Sequence, residues 1–443
     1  MTTKLPPDRS LLVYSDLDGG PVWVGTLDLE NSPSEVSAAV LANFSYAPHY
    51  LESAGALPLD PLNMPLRDHG FRTTSRFHLL GALFDAAPDA WGRRVIRASG
   101  DSVTVSERDV FVHARGLGAG NLFYKPIQPT DELGAATELP APGDIPSLTD
   151  VPTIAKALAA IDSGDPLEAS WRSMLASSCA IGGARPKAIL RDAWNDLWVA
   201  KFPRQSDSFD KQRVEWANLE MASDIGITVP KTRLVEIGRD AVLLVKRFDH
   251  TIVDENIRRR HYVSAAALTS PPPDFDKREM DKPFGQSIFS YARLAEIVRR
   301  VSSNRVRDLQ ELYARMLLNV AVHNTDDHLK NTGFLRDESS NAGNFRLSPL
   351  FDVVTQEGNA RHMLHLGPAG RESTFQNALD GAGRIGLRPR AALDILDRVL
   401  AVTERRQDYC HRAGLEADEL AIVERCQSAW RAIGHKNIQV KSQ

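Results

Sequence analysis

Apolar and polar positions alternate over the first thirty residues. LLVYSD (11–16) and PVWVGTLDLE (21–30) flank Asp18-Gly19-Gly20, which predicts a β-hairpin. The pattern then changes. SPSEVSAAVLANF (32–44) offers a serine cap, a proline in the first turn and an apolar stripe, which predicts a helix. FHLLGALFDAAPDAWGRRVI (77–96) has helical spacing broken by Pro88, with Leu80 and Trp91 as core positions. From about 127 to 153 the chain turns Pro-rich, as a linker or surface loop would, and a first domain boundary is expected there.

After a short helix, SSCAIGGARPKAILRDAWNDLWVAKFP (177–203) reads as a glycine-rich entry, a strand, a polar turn and a second strand ending at Lys201. Val214, Ala217, Met221, Ala222 and Ile225 share one face of a helix over 208–226, which Gly226 is placed to stop. TRLVEI and AVLLVKRF predict two more strands around Gly238-Arg239-Asp240. Beyond 285 the pattern is helical in SYARLAEIVRRV and RDLQELYARMLLNVAV, and TGFLRD with NFRLSPLFDVV forms a later hairpin with ESSNAG at its tip. Further helices are expected from about 370 to 435. The expected divisions are 1–150, a β-rich lobe over 151–250 and a helical lobe over 251–443.

Composition narrows the class. At 443 residues the chain is too long for one ordinary core. With 42% hydrophobic and 25% charged residues it is neither a disordered nor a fibrous sequence. A net charge of −4 argues against bulk electrostatic binding of nucleic acid, leaving only local basic runs such as Arg258-Arg259-Arg260 and Arg299-Arg300. Cys179, Cys410 and Cys426 are few and widely spaced, which fits a reducing cytoplasm. The first ten residues lack the apolar core of a signal peptide, and no apolar run predicts a membrane span.

The densest chemistry follows the second long helix. His323 to Asn331, HNTDDHLKN, holds two carboxylates, two imidazoles, a lysine and two carboxamides. Burying such groups unpaired would cost several kcal/mol each, so they are solvated at a helix end or gathered for work. Phosphoryl transfer from ATP needs a phosphate cradle, a lysine and its carboxylate, a base for the attacking hydroxyl and oxygen ligands for magnesium. The chain offers these in order. Gly182-Gly183-Ala184 is the loop, with Arg185 and Lys187 adding charge; Lys201 is the strand lysine; Glu215, on the next helix, could pair with it.

Asp326 and Asn331 stand five apart, in the D-x-x-x-x-N step of a kinase catalytic loop. Asp326 is then the base and Asn331 a metal ligand; Lys330 would neutralise the transferring phosphate. Asp352, in PLFDVV, supplies a second magnesium oxygen. Asp327 could also be the base, but only Asp326 gives the five-residue step. His328 reads as a loop-orienting or phosphate-facing imidazole and His323 as structural. Each residue alone is usually a solvated charge; the ordered set is far harder to explain that way.

GGARPKA (182–188), VAKFP (199–203), GITVP (226–230), VKRFD (245–249), TDDHLKN (325–331) and PLFDVV (349–354) together resemble the HipA family, bacterial serine/threonine kinases that act as toxins of type II toxin–antitoxin modules. VGTLDLE and FHLLGALFDAAPDAWGRR are similar to that family's N-terminal subdomain. The resemblance implies an α+β, bilobed, protein-kinase-like fold with phosphatidylinositol-kinase-like affinity, a β-containing N-terminal subdomain and a large helical C-terminal lobe. It implies that Gly182, Gly183, Ala184, Arg185, Pro186 and Lys187 line the phosphates and that Lys201 contacts them. Lys246 to Phe248 would form the adenine hinge. Asp326 would be the base, with His328, Lys330, Asn331 and Asp352 completing an ATP and Mg²⁺ site.

The partner implied is a HipB-like helix-turn-helix antitoxin, through which operator DNA is met only indirectly. The substrate implied is a translation protein of the aminoacyl-tRNA synthetase class. The family's autophosphorylated loop serine is Ala180 here, with Ser177 and Ser178 as nearby substitutes, and the hinge glutamate of some relatives is Lys246. Two other functions compete: a catalytically silent corepressor acting with its antitoxin at DNA, and a small-molecule kinase.

Overall fold

A computed structural model describes residues 9–17, 20–30, 41–73, 80–99, 105–127, 145–175, 180–254, 256–270, 281–340, 344–358 and 360–427. The chain divides into two compact units, Met1–Arg204 with Lys246–Phe275, and Gln205–Val245 with Asp276–Gln443.

The first unit opens with the expected hairpin, β1 (Ser10–Leu17) and β2 (Gly20–Glu30). It continues with β3 (Leu41–Tyr46), β4 (Phe71–Arg72) and β5 (Leu122–Pro126) into one sheet of order β4-β3-β2-β1-β5. Here one expectation fails at its end. Of the helix predicted over 32–44, residues 32–40 lie outside the described residues, and Leu41–Phe44 are strand. Ala42, Phe44 and Tyr46 are buried while Asn43 and Ser45 are not, a period of two that wins over the apolar stripe once β2 is there to pair with.

The face carrying Leu11, Val13, Leu27 and Phe44 packs on Leu80, Leu83 and Phe111 of short helices. The short helices of this region are α1 (Pro48–Leu51), α2 (Gly81–Asp85), α3 (Ala90–Ser99) and α4 (Glu107–His113); of the residues named, Leu80 caps α2, Leu83 lies on it and Phe111 lies on α4. The break at Pro88 falls between α2 and α3, with Leu80 and Trp91 fully buried. Of the Pro-rich stretch, residues 128–144 lie outside the described residues; beyond it come α5 (Val151–Ser163) and α6 (Ala169–Leu175).

β6 (Lys187–Arg191) and β7 (Leu197–Lys201) form the predicted hairpin. Asp192 holds its turn, accepting from the Trp194 and Asp196 amides at 3.0 and 2.9 Å and from Trp198 Nε1 at 3.0 Å. Towards the end of the unit come β10 (His250–Val253), β11 (Asn256–Arg259), β12 (Tyr262–Ser264) and α8 (Ala265–Thr269). A buried ion network lies under them: Asp249 accepts from Arg247 Nε and Nη2 at 2.9 and 2.7 Å and from the Gly120 amide at 2.8 Å.

The second unit begins with α7 (Lys211–Ile225). Asp210 caps it, accepting from the Gln212 and Arg213 amides at 2.9 Å each, and its other oxygen takes the Ala241 amide at 2.9 Å. Gly226 ends it in the left-handed region, at φ +92°. β8 (Thr232–Ile237) and β9 (Asp240–Lys246) pair antiparallel around Gly238. Then follow α9 (Tyr291–Val301) and α10 (Arg305–Ala321), and β13 (Gly333–Arg336) pairs with β14 (Phe345–Leu347). The unit closes with α11 (Phe375–Ile385), α12 (Pro389–Thr403), α13 (Arg406–Arg412) and α14 (Ala417–Gln427). Among the described residues no helix is long and apolar enough to cross a membrane.

Candidate active site

In the first unit the glycine loop is tied down at both ends. Gly183, at φ +106°, donates its amide to Asp89 Oδ2 at 3.1 Å and accepts from the Trp91 amide at 3.0 Å. A Cβ on Gly182 would lie 2.9 Å from Asp89 Oδ2 and one on Gly183 2.4 Å from Lys187 Nζ, both ends of side chains that can shift, so it is the backbone of Gly183, at positive φ, that calls for glycine. Lys187 is buried and donates to the Gly182 carbonyl at 2.7 Å. Ala184 is exposed and Arg185 half-buried; the Pro186 carbonyl accepts from the Phe202 amide at 3.0 Å.

Register sets Lys187 directly opposite Lys201 on the β6–β7 hairpin. Like charges directly opposite each other on a ladder are unfavourable, so this pair does not serve sheet stability. Asp89 and Trp91, the residues that hold the loop, carry no local motif. Lys246 Nζ pairs with Asp196 Oδ2 at 2.5 Å, so its ammonium is engaged with the β6–β7 turn, while the Arg247 amide donates to the Leu197 carbonyl at 2.8 Å. Phe248 is half-buried, its ring 6.5 Å from that of Tyr262.

In the second unit α10 ends at Ala321 and the chain turns through His323, at φ +52°. Asp326 and Lys330 are exposed, and His328 and Asn331 half-buried. Asn331 Nδ2 donates to the Asp326 carbonyl at 2.9 Å, so the five-residue step closes a hydrogen-bonded loop. The Asp326 carboxyl is held above the usual carboxylate range. Partial burial is the main cause, His328 pulls against it, and Asp352 and Asp327 add repulsion. His328 Nδ1 is buried with no hydrogen-bond partner among the described residues.

Asp327, next door, is spent on structure. Its Oδ1 accepts from the Met363 and Leu364 amides at 2.9 and 3.4 Å, and its Oδ2 from the Tyr291 hydroxyl at 2.8 Å. His362 Nδ1 lies 3.0 Å from the same Oδ2.

Asp352 also stands in the left-handed region, at φ +60°. α7 holds it there: Glu215 Oε1 accepts the Asp352 amide at 3.0 Å, and Asn218 Nδ2, one turn on, donates to the Val353 carbonyl at 2.9 Å. Glu215 thus has a task beyond the lysine pairing its spacing suggests, and Asn218 carries no sequence signal. Asn331 and Asp352 line one cavity of about 20 Å³, with Tyr291, Asn319, Asn324 and Asp327.

Asn331 and Asp352 each bring a hard oxygen donor to the lining of this cavity, which also includes Arg315, and such donors are the kind a magnesium ion takes beside phosphate and water. Among the described residues no cluster of three His, Cys, Asp or Glu forms a closed metal cage. Ser177 and Ser178 lie outside the described residues, and Ala180 is buried.

The arginine runs do not present a block of charge. Arg259 is buried, donating to the Gly116 carbonyl at 2.8 Å and pairing with Asp16 at 3.4 Å, while Arg258 is exposed on the other face of β11. Arg299 Nη2 donates to the Arg384 carbonyl at 3.0 Å.

Residues 179–406, just over half of the chain, match the family model of the HipA-like C-terminal domain. A curated protein of Haemophilus influenzae named as a candidate kinase is 21% identical over 146 residues, 32% of this chain and 40% of that protein. Another, of Sinorhizobium fredii and named likewise, is 24% identical over 158 residues, 35% of this chain and 34% of that protein. The chain therefore spans only about a third to two-fifths of the length of these curated relatives. The HipA of Shewanella oneidensis, solved with HipB and its operator DNA as a toxin–antitoxin system, superposes with a TM-score of 0.63 at 18% identity, over 94% of this chain and 95% of that one. At that identity the likeness is one of fold, and the fold is the kinase-like α+β one expected. With the family model spanning the glycine loop, α7, the catalytic-loop motif and Asp352 alike, the chain belongs to the HipA family.

Proposed function

We propose that this protein is an ATP- and Mg²⁺-dependent serine/threonine-protein kinase that phosphorylates a translation protein of the aminoacyl-tRNA synthetase class and is neutralised by a HipB-like antitoxin. The observation that carries the kinase reading is the contrast within one dipeptide. Asp326 is exposed, has its backbone fixed by Asn331 and has raised basicity, while Asp327 is buried in hydrogen bonds. A carboxylate that reaches solvent and titrates upward suits a base that takes the proton of a substrate hydroxyl.

The steps assigned to this chain are few. Gly182 to Lys187 and Lys201 hold the nucleotide phosphates, and the backbone of Lys246 to Phe248 meets adenine. Asp326 accepts the proton as the hydroxyl oxygen bonds to the γ-phosphorus and the bond to the ADP oxygen breaks. Lys330 and His328 face the transferring group. Asn331 and Asp352 would hold magnesium, which when bound supplies positive charge against the phosphate oxygens. The HipB-like partner is suggested by the company of the Shewanella structure, and the cytoplasm by the cysteine usage.

Incubation of the purified chain with Mg-ATP, alone and in cell lysate, followed by intact-mass and peptide mass spectrometry, tests this. The wild type should add phosphate to itself or to a lysate protein, and Asp326→Asn should lose at least about a hundredfold in rate while still binding ATP. Near-normal turnover in Asp326→Asn would remove it as the base, and silence of the wild type in both settings would sink the kinase reading.

A further inference from the structure

The loop that carries Asp326 rests on a buried polar network that the phosphoryl-transfer scheme does not use. Tyr291, at the first position of α9, donates to Asp327 Oδ2 at 2.8 Å and accepts from Asn319 Nδ2, on α10, at 3.0 Å. Asn319 Oδ1 in turn accepts from Asn324 Nδ2 at 3.0 Å. From the other side, His362 Nδ1 approaches Asp327 at 3.0 Å, with its Nε2 3.0 Å from Ser373 Oγ. The Met363 amide binds both the Thr325 carbonyl and Asp327.

Tyr291, Asn319, Asn324, Thr325, Asp327 and His362 are all buried. Burial and the Asp327 charge hold the Tyr291 phenol well above its ordinary range, so it remains a donor. Tyr291, Asn319, Asn324 and Asp327 are joined by buried hydrogen bonds, and a displaced member would leave its partner unsatisfied; Asn324 Oδ1, Thr325 Oγ1 and His362 Nδ1 make no hydrogen bond among the described residues, so His362 meets Asp327 by charge and proximity.

We infer that Tyr291 and His362 are positioning residues for phosphoryl transfer, acting through Asp327 to fix the backbone on which Asp326 meets the substrate hydroxyl. The inference rests on the kinase reading above and assigns to it two residues of α9 and of the 360–373 segment. α9 and that segment also meet directly, through the Tyr291 amide on the His365 carbonyl at 3.0 Å and the His365 amide on the Phe289 carbonyl at 2.8 Å. The loop is thereby gripped from two elements far from it in sequence. Tyr291 and Asp327 line the cavity of Asn331 and Asp352 but are assigned no step of the transfer, so the loss of the Tyr291 hydroxyl is expected in the rate of transfer more than in nucleotide affinity.

The experiment compares Tyr291→Phe with Tyr313→Phe in the full chain. Tyr313, on α10, is also buried, and its hydroxyl donates to the Ala378 carbonyl at 3.3 Å, remote from the Asp326 loop. Both variants lose one buried hydroxyl, so their melting temperatures serve as the structural reference. Single-turnover transfer from Mg-ATP gives the rate, and titration with a fluorescent ATP analogue gives the affinity. Tyr291→Phe should lower kcat by about 10- to 100-fold, with analogue affinity within about twofold of wild type. Tyr313→Phe should keep wild-type kcat.

His362→Gln reports the same effect if Tyr291→Phe fails to fold. Equal kcat in Tyr291→Phe and Tyr313→Phe, or a loss confined to nucleotide affinity, overturns the positioning role while leaving the kinase standing. A wild type that binds the analogue but transfers no phosphate to any acceptor overturns both.

Discussion

Asp326 and Asp327 are the same group one residue apart, and their surroundings give them opposite work. Asp327 is a buried acceptor for a hydroxyl and two amides, so its removal leaves several donors unsatisfied. Asp327→Ala is expected to destabilise the protein by about 3 kcal/mol. Asp326→Asn, at an exposed position, should stay within about 0.5 kcal/mol of wild type. Urea titration of the two variants checks this, and equal losses would mean that the dipeptide shares one environment. The spacing to Asn331 singles out Asp326 from sequence, and the burial of its neighbour adds support of a different kind. The hydrogen bonds themselves were illegible: Asp327 meets Tyr291 across 36 positions and Asp352 meets Glu215 across 137, and no local pattern encodes either.

At the level of elements, what could be read was what short-range physics decides. α7 shows this best, because its apolar spacing, its cap and its terminating glycine are all local. Gly226 sits at φ +92°, and a Cβ there would meet only Arg398 Nη1 at 3.9 Å, so the cost of a side chain is purely backbone strain. Gly226→Ala should therefore lower stability by about 1 kcal/mol without altering nucleotide binding, measurable as a shifted urea midpoint at unchanged slope. The end of the 32–44 reading failed for the converse reason. Leu41–Tyr46 is set by β2 and β4 on either side, and pairing partners outrank an intrinsic stripe. The arginine run at 258–260 misleads in the same way, since a strand sends neighbours to opposite faces and one of the three into the core.

Across the whole molecule the −4 charge hides strongly buried ions. In the first unit His250 lies among Arg247, Asp249 and Arg259; burial, with Arg247 second, pushes its pKa from 6.5 down to about 4 against the pull of Asp249. A group depressed on folding is protonated more readily in the unfolded chain, so stability is whole above pH 6.5 and falls as the pH drops towards 4. The loss should reach roughly 2–3 kcal/mol by pH 4.5. Urea titrations at pH 7 and pH 4.5 should show it, and His250→Gln should flatten the difference; an undiminished slope in that variant would place the acid sensitivity elsewhere. No sequence feature announces this network, because it joins residues near 16, 116–120, 247–250 and 259 that only the fold gathers.

Asp352 carries a consequence for how this chain can change. Its backbone occupies a region that costs a side-chain-bearing residue about 1 kcal/mol or more, and Glu215 and Asn218 hold the chain there. Glycine would fit the same turn without strain and would forfeit the carboxylate. On the magnesium-holding role proposed for Asp352, stability and chemistry pull this position in opposite directions, so a lineage relieved of that activity would have a thermodynamic incentive to lose the acid first.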